Sequence, residues 1–228
     1  MDIKIIKEVN YPDSIFCYIP NILSNNEVKQ FTDYLDNIND FKYNPSCDGN
    51  NTVRLQKWYN IDNKYFCPLW KERFEWWQPC EYDVNILKIQ NTIQKKINTY
   101  ITTYISKYIK NIPNLVPNIN SCLINKYRDG KDHISPHRDS HLSFGLEPTI
   151  VGISIGETRT LDIKRVKNND NTKRLSKQDK EYENLTLELE NNSMFIMAGS
   201  SQRFYSHSIP ECDTENCRYS LTFREFIL

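Results

Sequence analysis

The sequence is short of several things. Glycine supplies only 6 of 228 residues while Asn, Ile and Lys abound, which reads as a coding bias towards AT-rich codons and carries no fold signal. Its seven cysteines (17, 47, 67, 80, 122, 212 and 217) contain no C-x-x-C pair. An odd set in a chain of this length argues for reduced intracellular thiols and against a disulfide framework. Net charge is missing too, since 29 Lys and Arg balance 29 Asp and Glu at a sequence pI of about 6.9. No global field draws in nucleic acid or anionic membrane, so a polyanion partner has to be held by a local patch. No apolar run approaches the roughly 20 residues that span a bilayer. The start, MDIKIIKEVNYPDS, has no long apolar core behind a basic head, so a secretory signal is not expected. The expected location is intracellular, in cytoplasm or nucleus. Solenoid-period repeats and linkers rich in Gly, Pro and Ser are also absent.

What is present suits one soluble globular domain with a substantial core, at 39% hydrophobic and 25% charged residues. SNNEVKQFTDYLDNI (24–38) sets Val28, Phe31, Leu35 and Ile38 at helical spacing behind a Ser/Asn cap. NPSCDGNNT (44–52) reads as a turn before a strand, VRLQKWY. Residues 84–109 form the longest periodic segment, with Ile86, Ile89, Ile93, Ile97 and Ile101 on one core-facing stripe. From residue 120 the texture changes to short β-rich runs: CLINKY, TIVGISI, TRTLDIKRV, LTLELE, SMFIMA, RFYSHSI and RYSLTFREF. Regular short strands with turns between them predict a β-sandwich or barrel, on which an N-terminal helical and hairpin layer packs.

The chemistry concentrates in KYRDGKDHISPHRDS (Lys126–Ser140). In an extended segment His137 and Asp139 point to one face and Arg138 to the other. Pro136 breaks any helical His133-x-x-x-His137 reading. His207, in RFYSHSI, is the downstream imidazole that would complete a site after His141. Two His and a carboxylate make a facial triad with about three coordination positions free, the arrangement of non-haem Fe(II) oxygenases. A lone H-x-D also arises by chance on a solvated surface. A zinc set of His207, Cys212 and Cys217 is the other metal reading, although its spacing matches no usual zinc module.

Near the C-terminus, RYSLTFR puts Arg218, Ser220, Thr222 and Arg224 on one face, with Tyr219, Leu221 and Phe223 on the other. On an exposed strand this is ordinary half-buried alternation. Turned into a barrel, two buried Arg need an anion, and a dicarboxylate such as 2-oxoglutarate supplies one that Arg binds bidentately. Asn125 and Tyr127 share a face one strand upstream and can donate to the same molecule.

LINKYRDGKDHISPHRD, SIGETRTLDIK, FYSHSIP and RYSLTFR together resemble the AlkB family of Fe(II)- and 2-oxoglutarate-dependent dioxygenases, nearest its eukaryotic-type nucleic-acid demethylases. The likeness is strong over 120–228 and weaker over 13–110. It implies an α+β, mainly β fold. This is a single dioxygenase domain over 1–228, with N-terminal helices and a nucleotide-recognition lid over 1–119 and a double-stranded β-helix (jelly-roll) core over 120–228. His137, Asp139 and His207 would ligate Fe(II). Asn125, Tyr127, Arg218, Thr222 and Arg224 would bind 2-oxoglutarate, with O2 as second co-substrate. The implied reaction decarboxylates 2-oxoglutarate to succinate and CO2 while an N-methyl group on a damaged base is hydroxylated and lost as formaldehyde.

The implied partner is alkylated DNA or RNA, with 1-methyladenine or 3-methylcytosine type lesions; no membrane is implied, and the protein is expected to act as a monomer. Flipping a base from a duplex costs a few kcal/mol, and relatives that do so carry a bulky wedge on a hairpin. NPSCDGNNT has no such tip, which favours single strands unless Phe41 or Tyr43 serves. Trp58, Tyr59, Tyr65 and Phe66 are stacking candidates that core packing could equally claim. Arg54 and Arg159 match substrate-side arginines of the family. The basic segment Lys164–Lys177 resembles a phosphate-contacting loop, or is a solvated one. Ser220 and Ser140 depart from the family's usual Asn and second acid, and Ser140 leaves base preference open. The competing classes are a 2-oxoglutarate oxygenase acting on protein or lipid and a silent nucleic-acid-binding module, against which the intact triad argues.

Overall fold

A computed structural model describes residues 1–8, 10–44, 52–61, 78–106, 115–166 and 184–227. Its strands are β1 (Asp2–Ile6), β2 (Ser14–Pro20), β3 (Leu55–Asn60), β4 (Ser121–Tyr127), β5 (Ile134–His137), β6 (Ile150–Gly156), β7 (Arg159–Arg165), β8 (Asn184–Leu189), β9 (Ser193–Gly199), β10 (Tyr205–Ile209) and β11 (Arg218–Arg224). A larger sheet runs β1-β2-β9-β6-β11-β4-β3 and a smaller one β5-β10-β7-β8. Helices α1 (Asn25–Asp36) and α2 (Val84–Tyr100) cover the outer face of the larger sheet. This is the jelly-roll arrangement, with helices outside one sheet and the site in the mouth between the two.

The local sequence explains each layer. Ser24 and Glu27 cap α1 reciprocally, satisfying N–H groups that would otherwise be orphaned. Asp83 does the same for α2 through the amides of Asn85 and Ile86. The α2 stripe of Ile86, Ile89, Ile93 and Ile97 is buried as its spacing predicts. A π-helical turn, Ile101–Ile105, then keeps Ile101 and Ile105 on the same core. These isoleucines meet Tyr219, Leu221 and Phe223 of β11, each contributing roughly 1.5–3 kcal/mol of burial. A second apolar cluster, with Phe16, Ile150, Phe195 and Met197 facing Leu161, Ile163 and Tyr205, fills the space between the sheets.

The expected C-terminal strands all form. The N-terminal part differs from expectation, because β1 and β2 pair with each other and β2 joins β9, extending the larger sheet. In β2 both faces are mostly covered, so SIFCYIP shows no alternation to read as a strand.

The turn after β4 brings Gly130 against the loop that leads into β11. Its N–H donates to the Thr214 carbonyl at 2.7 Å and its carbonyl accepts from Cys212 at 3.0 Å. A Cβ there would lie 1.9 Å from the Cys212 carbonyl oxygen. Gly130→Ala should lower the unfolding free energy by about 2 kcal/mol or more, measured by urea denaturation. An unchanged midpoint would contradict this close approach.

Candidate active site

Strands β5 and β10 pair antiparallel with His137 opposite His207, so strand register alone brings the two imidazoles face to face. Their ring centroids are 4.2 Å apart. Asp139 follows on the same side, with Oδ1 3.9 Å from His137 Nε2 and 4.0 Å from His207 Nε2. All three ligand atoms lie within 4.8 Å of one another, the one such group among the described residues. His207, Cys212 and Cys217 do not gather. Two imidazole nitrogens and one carboxylate oxygen converging from one side fit Fe(II) and leave positions open opposite.

The triad is held from behind. His137 Nδ1 lies 3.0 Å from the Ser135 carbonyl, which commits Nδ1 to donating and frees Nε2 as the ligand atom. The Asp139 amide donates to Gln202 Oε1 at 2.9 Å. Asp139 Oδ2 accepts a hydrogen bond from Arg224 Nε, leaving Oδ1 to face the imidazoles. Burial opposes a charge on Asp139, yet the Arg224 guanidinium and the His207 ring outweigh it and pull the carboxyl down to about 2. Burial, reinforced by His137 and resisted by Asp139, lowers His207 to about 3. Burial also lowers His137, against the pull of Asp139. Neutral imidazoles beside an ionised carboxylate are the forms a metal requires.

Beside the triad, β11 and β4 present their polar faces between the sheets. The register sets Arg218 opposite Tyr127 and Ser220 opposite Asn125. Arg218 is 1% exposed. Its Nη2 donates to Ser154 Oγ at 2.8 Å, and its guanidinium lies 5.1 Å from the Tyr127 ring centroid. Its Nε and Nη1 are buried without a hydrogen-bond partner among the described residues. A buried cation with two free N–H groups is unfavourable unless an anion completes it, so a ligand carboxylate fits here. Thr222 lies on the same face. Arg224, expected beside it as a co-substrate ligand, lies on that face too, with Nε on Asp139 and Nη1 on the Thr222 carbonyl at 3.2 Å.

The substrate-side candidates divide. Trp58 lies on the same sheet face as Asn125, through the pairings Trp58–Leu123 and Gln56–Asn125. Ser140 caps the helical turn His141–Phe144 directly after Asp139. Tyr59, by contrast, is on the opposite face and 1% exposed, bonding Tyr34 and packing edge-on against Tyr82. It is core, because strand alternation sends neighbours to opposite faces. Arg159 does not line a mouth either. It is 2% exposed and donates to the carbonyls of Asp129, Asp132 and Pro210 at 3.1, 2.9 and 2.6 Å. Arg54 is likewise buried, donating to Asn125 Oδ1 at 2.8 Å and the His133 carbonyl at 3.2 Å. Tyr65, Phe66 and most of the basic segment lie outside the described residues. At its start, Arg165 forms an ion pair with Glu8 at 2.7 Å.

Two contributors were missed in the sequence. Gln56 is legible in hindsight, since Arg54, Gln56 and Trp58 alternate along one strand. Gln202, in the turn Ser201–Phe204, follows no periodicity and carries no comparable signal.

Residues 16–224 match the family model described as the 2OG-Fe(II) oxygenase superfamily. DNA oxidative demethylase ALKBH2 of Arabidopsis thaliana is 31% identical over 117 residues, 46% of this chain and 37% of that protein. Alpha-ketoglutarate-dependent dioxygenase alkB homolog 3 of Mus musculus is 33% identical over 109 residues, 46% of this chain and 36% of that protein. The match thus spans little more than a third of the length of these curated relatives. The solved structure of OsALKBH1 superposes with a TM-score of 0.61 at 16% identity, covering 96% of this chain and 99% of that one, a likeness of fold. The AlkB resemblance read from the four sequence motifs is borne out by these relatives.

The placement of Arg159 has a direct test. Arg159→Met should strip the Asp129, Asp132 and Pro210 carbonyls of their donor and lower the unfolding free energy by about 3 kcal/mol or more, read by chemical denaturation. A variant of unchanged stability would return Arg159 to the mouth.

Proposed function

Because the chain belongs to the 2OG-Fe(II) oxygenase superfamily, we propose that it is a dioxygenase that demethylates N-alkylated bases. The bases are of the 1-methyladenine or 3-methylcytosine type, in single-stranded DNA or RNA. The observation that carries this reading is a His-Asp-His triad on the smaller sheet together with a buried, incompletely partnered Arg218 on the larger one. The substrate class is supported by relatives named as a DNA oxidative demethylase and an alkB homolog.

In this reading His137, Asp139 and His207 hold Fe(II). The bound metal supplies the redox chemistry: one oxygen atom of O2 enters succinate as 2-oxoglutarate loses CO2, and the other enters the methyl C–H bond. The hydroxymethyl group then leaves as formaldehyde and restores the ring nitrogen. The chain's own residues bind and orient. Arg218 donates to the distal carboxylate of 2-oxoglutarate from its unused N–H groups, while Asn125, Tyr127 and Thr222 line the same pocket. Arg224 keeps Asp139 ionised and turned towards the imidazoles. Trp58, 6% exposed, lies on the sheet face that carries Asn125 and is the candidate to meet the base, and Ser140 stands beside the metal carboxylate where base choice is made.

Preference for single strands is supported by what has become of the two wedge candidates. Phe41 stacks on Tyr219 at 6.2 Å, on the helix side of the sheet. The Tyr43 hydroxyl is engaged by Arg128. No described helix is long and apolar enough to cross a membrane, and the protein is expected to work as one catalytic domain and as a monomer.

The test incubates purified protein with Fe(II), ascorbate and 2-oxoglutarate on methylated single- and double-stranded oligonucleotides. Formaldehyde release and loss of the methyl mass are expected, faster on single strands. Succinate formed without any change in the oligonucleotide would transfer the activity to another substrate. Arg218→Met should raise the KM for 2-oxoglutarate by roughly tenfold or more, the size of a charge-assisted hydrogen bond; an unaltered KM would reject its role.

A further inference from the structure

The amide of Asn125 is held in one orientation by two side chains, one on the neighbouring strand β3 and one just before it. Arg54 Nε and Gln56 Nε2 both donate to Asn125 Oδ1, each at 2.8 Å, and all three side chains are buried. A guanidinium can only donate, so the amide edge facing Arg54 has to be the oxygen. Strand β4 lies between β3 and β11. With Oδ1 turned towards β3, the NH2 group is turned away from it, towards Ser220 and the polar face of β11. Among the described residues that NH2 makes no hydrogen bond. Arg54 also reaches the His133 carbonyl, at the entrance to the strand that carries His137.

We propose that Arg54 and Gln56 are positioning residues: they fix the Asn125 amide so that its NH2, not its oxygen, meets the 2-oxoglutarate carboxylate, and Arg54 ties that pocket to the metal-bearing strand. This rests on the reading that Asn125 lines the 2-oxoglutarate pocket. An amide free to rotate would present an oxygen to a carboxylate for part of the time, and two acceptors repel. Held by two donors, it is pre-organised before the co-substrate arrives. Arg54 therefore serves the co-substrate from a position where a nucleic-acid contact was expected.

Calorimetric titration of 2-oxoglutarate into Mn(II)-loaded protein, beside Mn(II) affinity and melting temperature, tests the proposal without turnover. Asn125→Asp keeps an acceptor for Arg54 and Gln56 but replaces the NH2 with a carboxylate oxygen. It should melt no lower than the wild type, bind Mn(II) unchanged, and bind 2-oxoglutarate at least about a hundredfold more weakly. Gln56→Leu should weaken 2-oxoglutarate binding about tenfold, the size of one buried hydrogen bond, again without loss of Mn(II). Arg54→Lys, which retains a donor, should bind 2-oxoglutarate more tightly than Arg54→Met. Should Arg54→Met fail to fold, the Asn125 and Gln56 variants decide alone. Wild-type protein that takes up no 2-oxoglutarate would overturn the functional reading itself. Wild-type protein that binds it, with Asn125→Asp and Gln56→Leu binding equally well, would overturn the positioning role alone.

Discussion

Strand β11 has to satisfy two environments at once, and the rest of the molecule is arranged around that demand. One face carries Tyr219, Leu221 and Phe223, which require an apolar cover, and the isoleucine stripe of α2 supplies it. Once that face is covered, alternation forces Arg218 and Arg224 into the space between the sheets, where water cannot compensate them. Arg224 finds a carboxylate of the protein, Asp139. Arg218 does not, and two of its N–H groups are left for something that comes from outside. The two arginines thus differ: one is paired within the protein, and the other keeps buried donors.

The same logic organises the triad. Cross-strand register between β5 and β10 sets the imidazoles opposite one another, so their proximity is a property of the sheet and not of a loop. Around them, hydrogen bonds remove the remaining freedoms. Ser135 commits one nitrogen of His137, Gln202 anchors the Asp139 backbone, and Arg224 occupies the carboxylate oxygen that faces away from the histidines. Pre-organisation of this kind is what lets three side chains act as a single ligand set.

Much of this was legible in the sequence because it rests on period. The α2 stripe, the C-terminal strands, His137 with Asp139, and the two faces of β11 follow from spacings of 3.6 and 2.0 residues. What escaped is what period cannot encode. β2 lies in mid-sheet with both faces mostly covered, so it does not alternate. Tyr59 adjoins Trp58 and looked equivalent to it until the strand assigned them to opposite faces. Arg159 and Arg54 sat in motifs that placed them beside substrate, yet each is consumed by interior acceptors, three carbonyls for the one, an amide oxygen and a carbonyl for the other. Whether an arginine serves a ligand or the fold depends on which acceptors lie within reach, and only the folded chain brings those together.

The central claim is that the buried Arg218 guanidinium meets the distal carboxylate of a 2-oxo diacid. The most direct measurement compares wild-type affinity for 2-oxoglutarate with that for 2-oxovalerate, which keeps the 2-oxo acid end and lacks the second carboxylate. A site built to hydrogen-bond that group should prefer the diacid by at least about a hundredfold, because the analogue leaves buried donors unpaired. Equal affinity for the two acids would contradict the account.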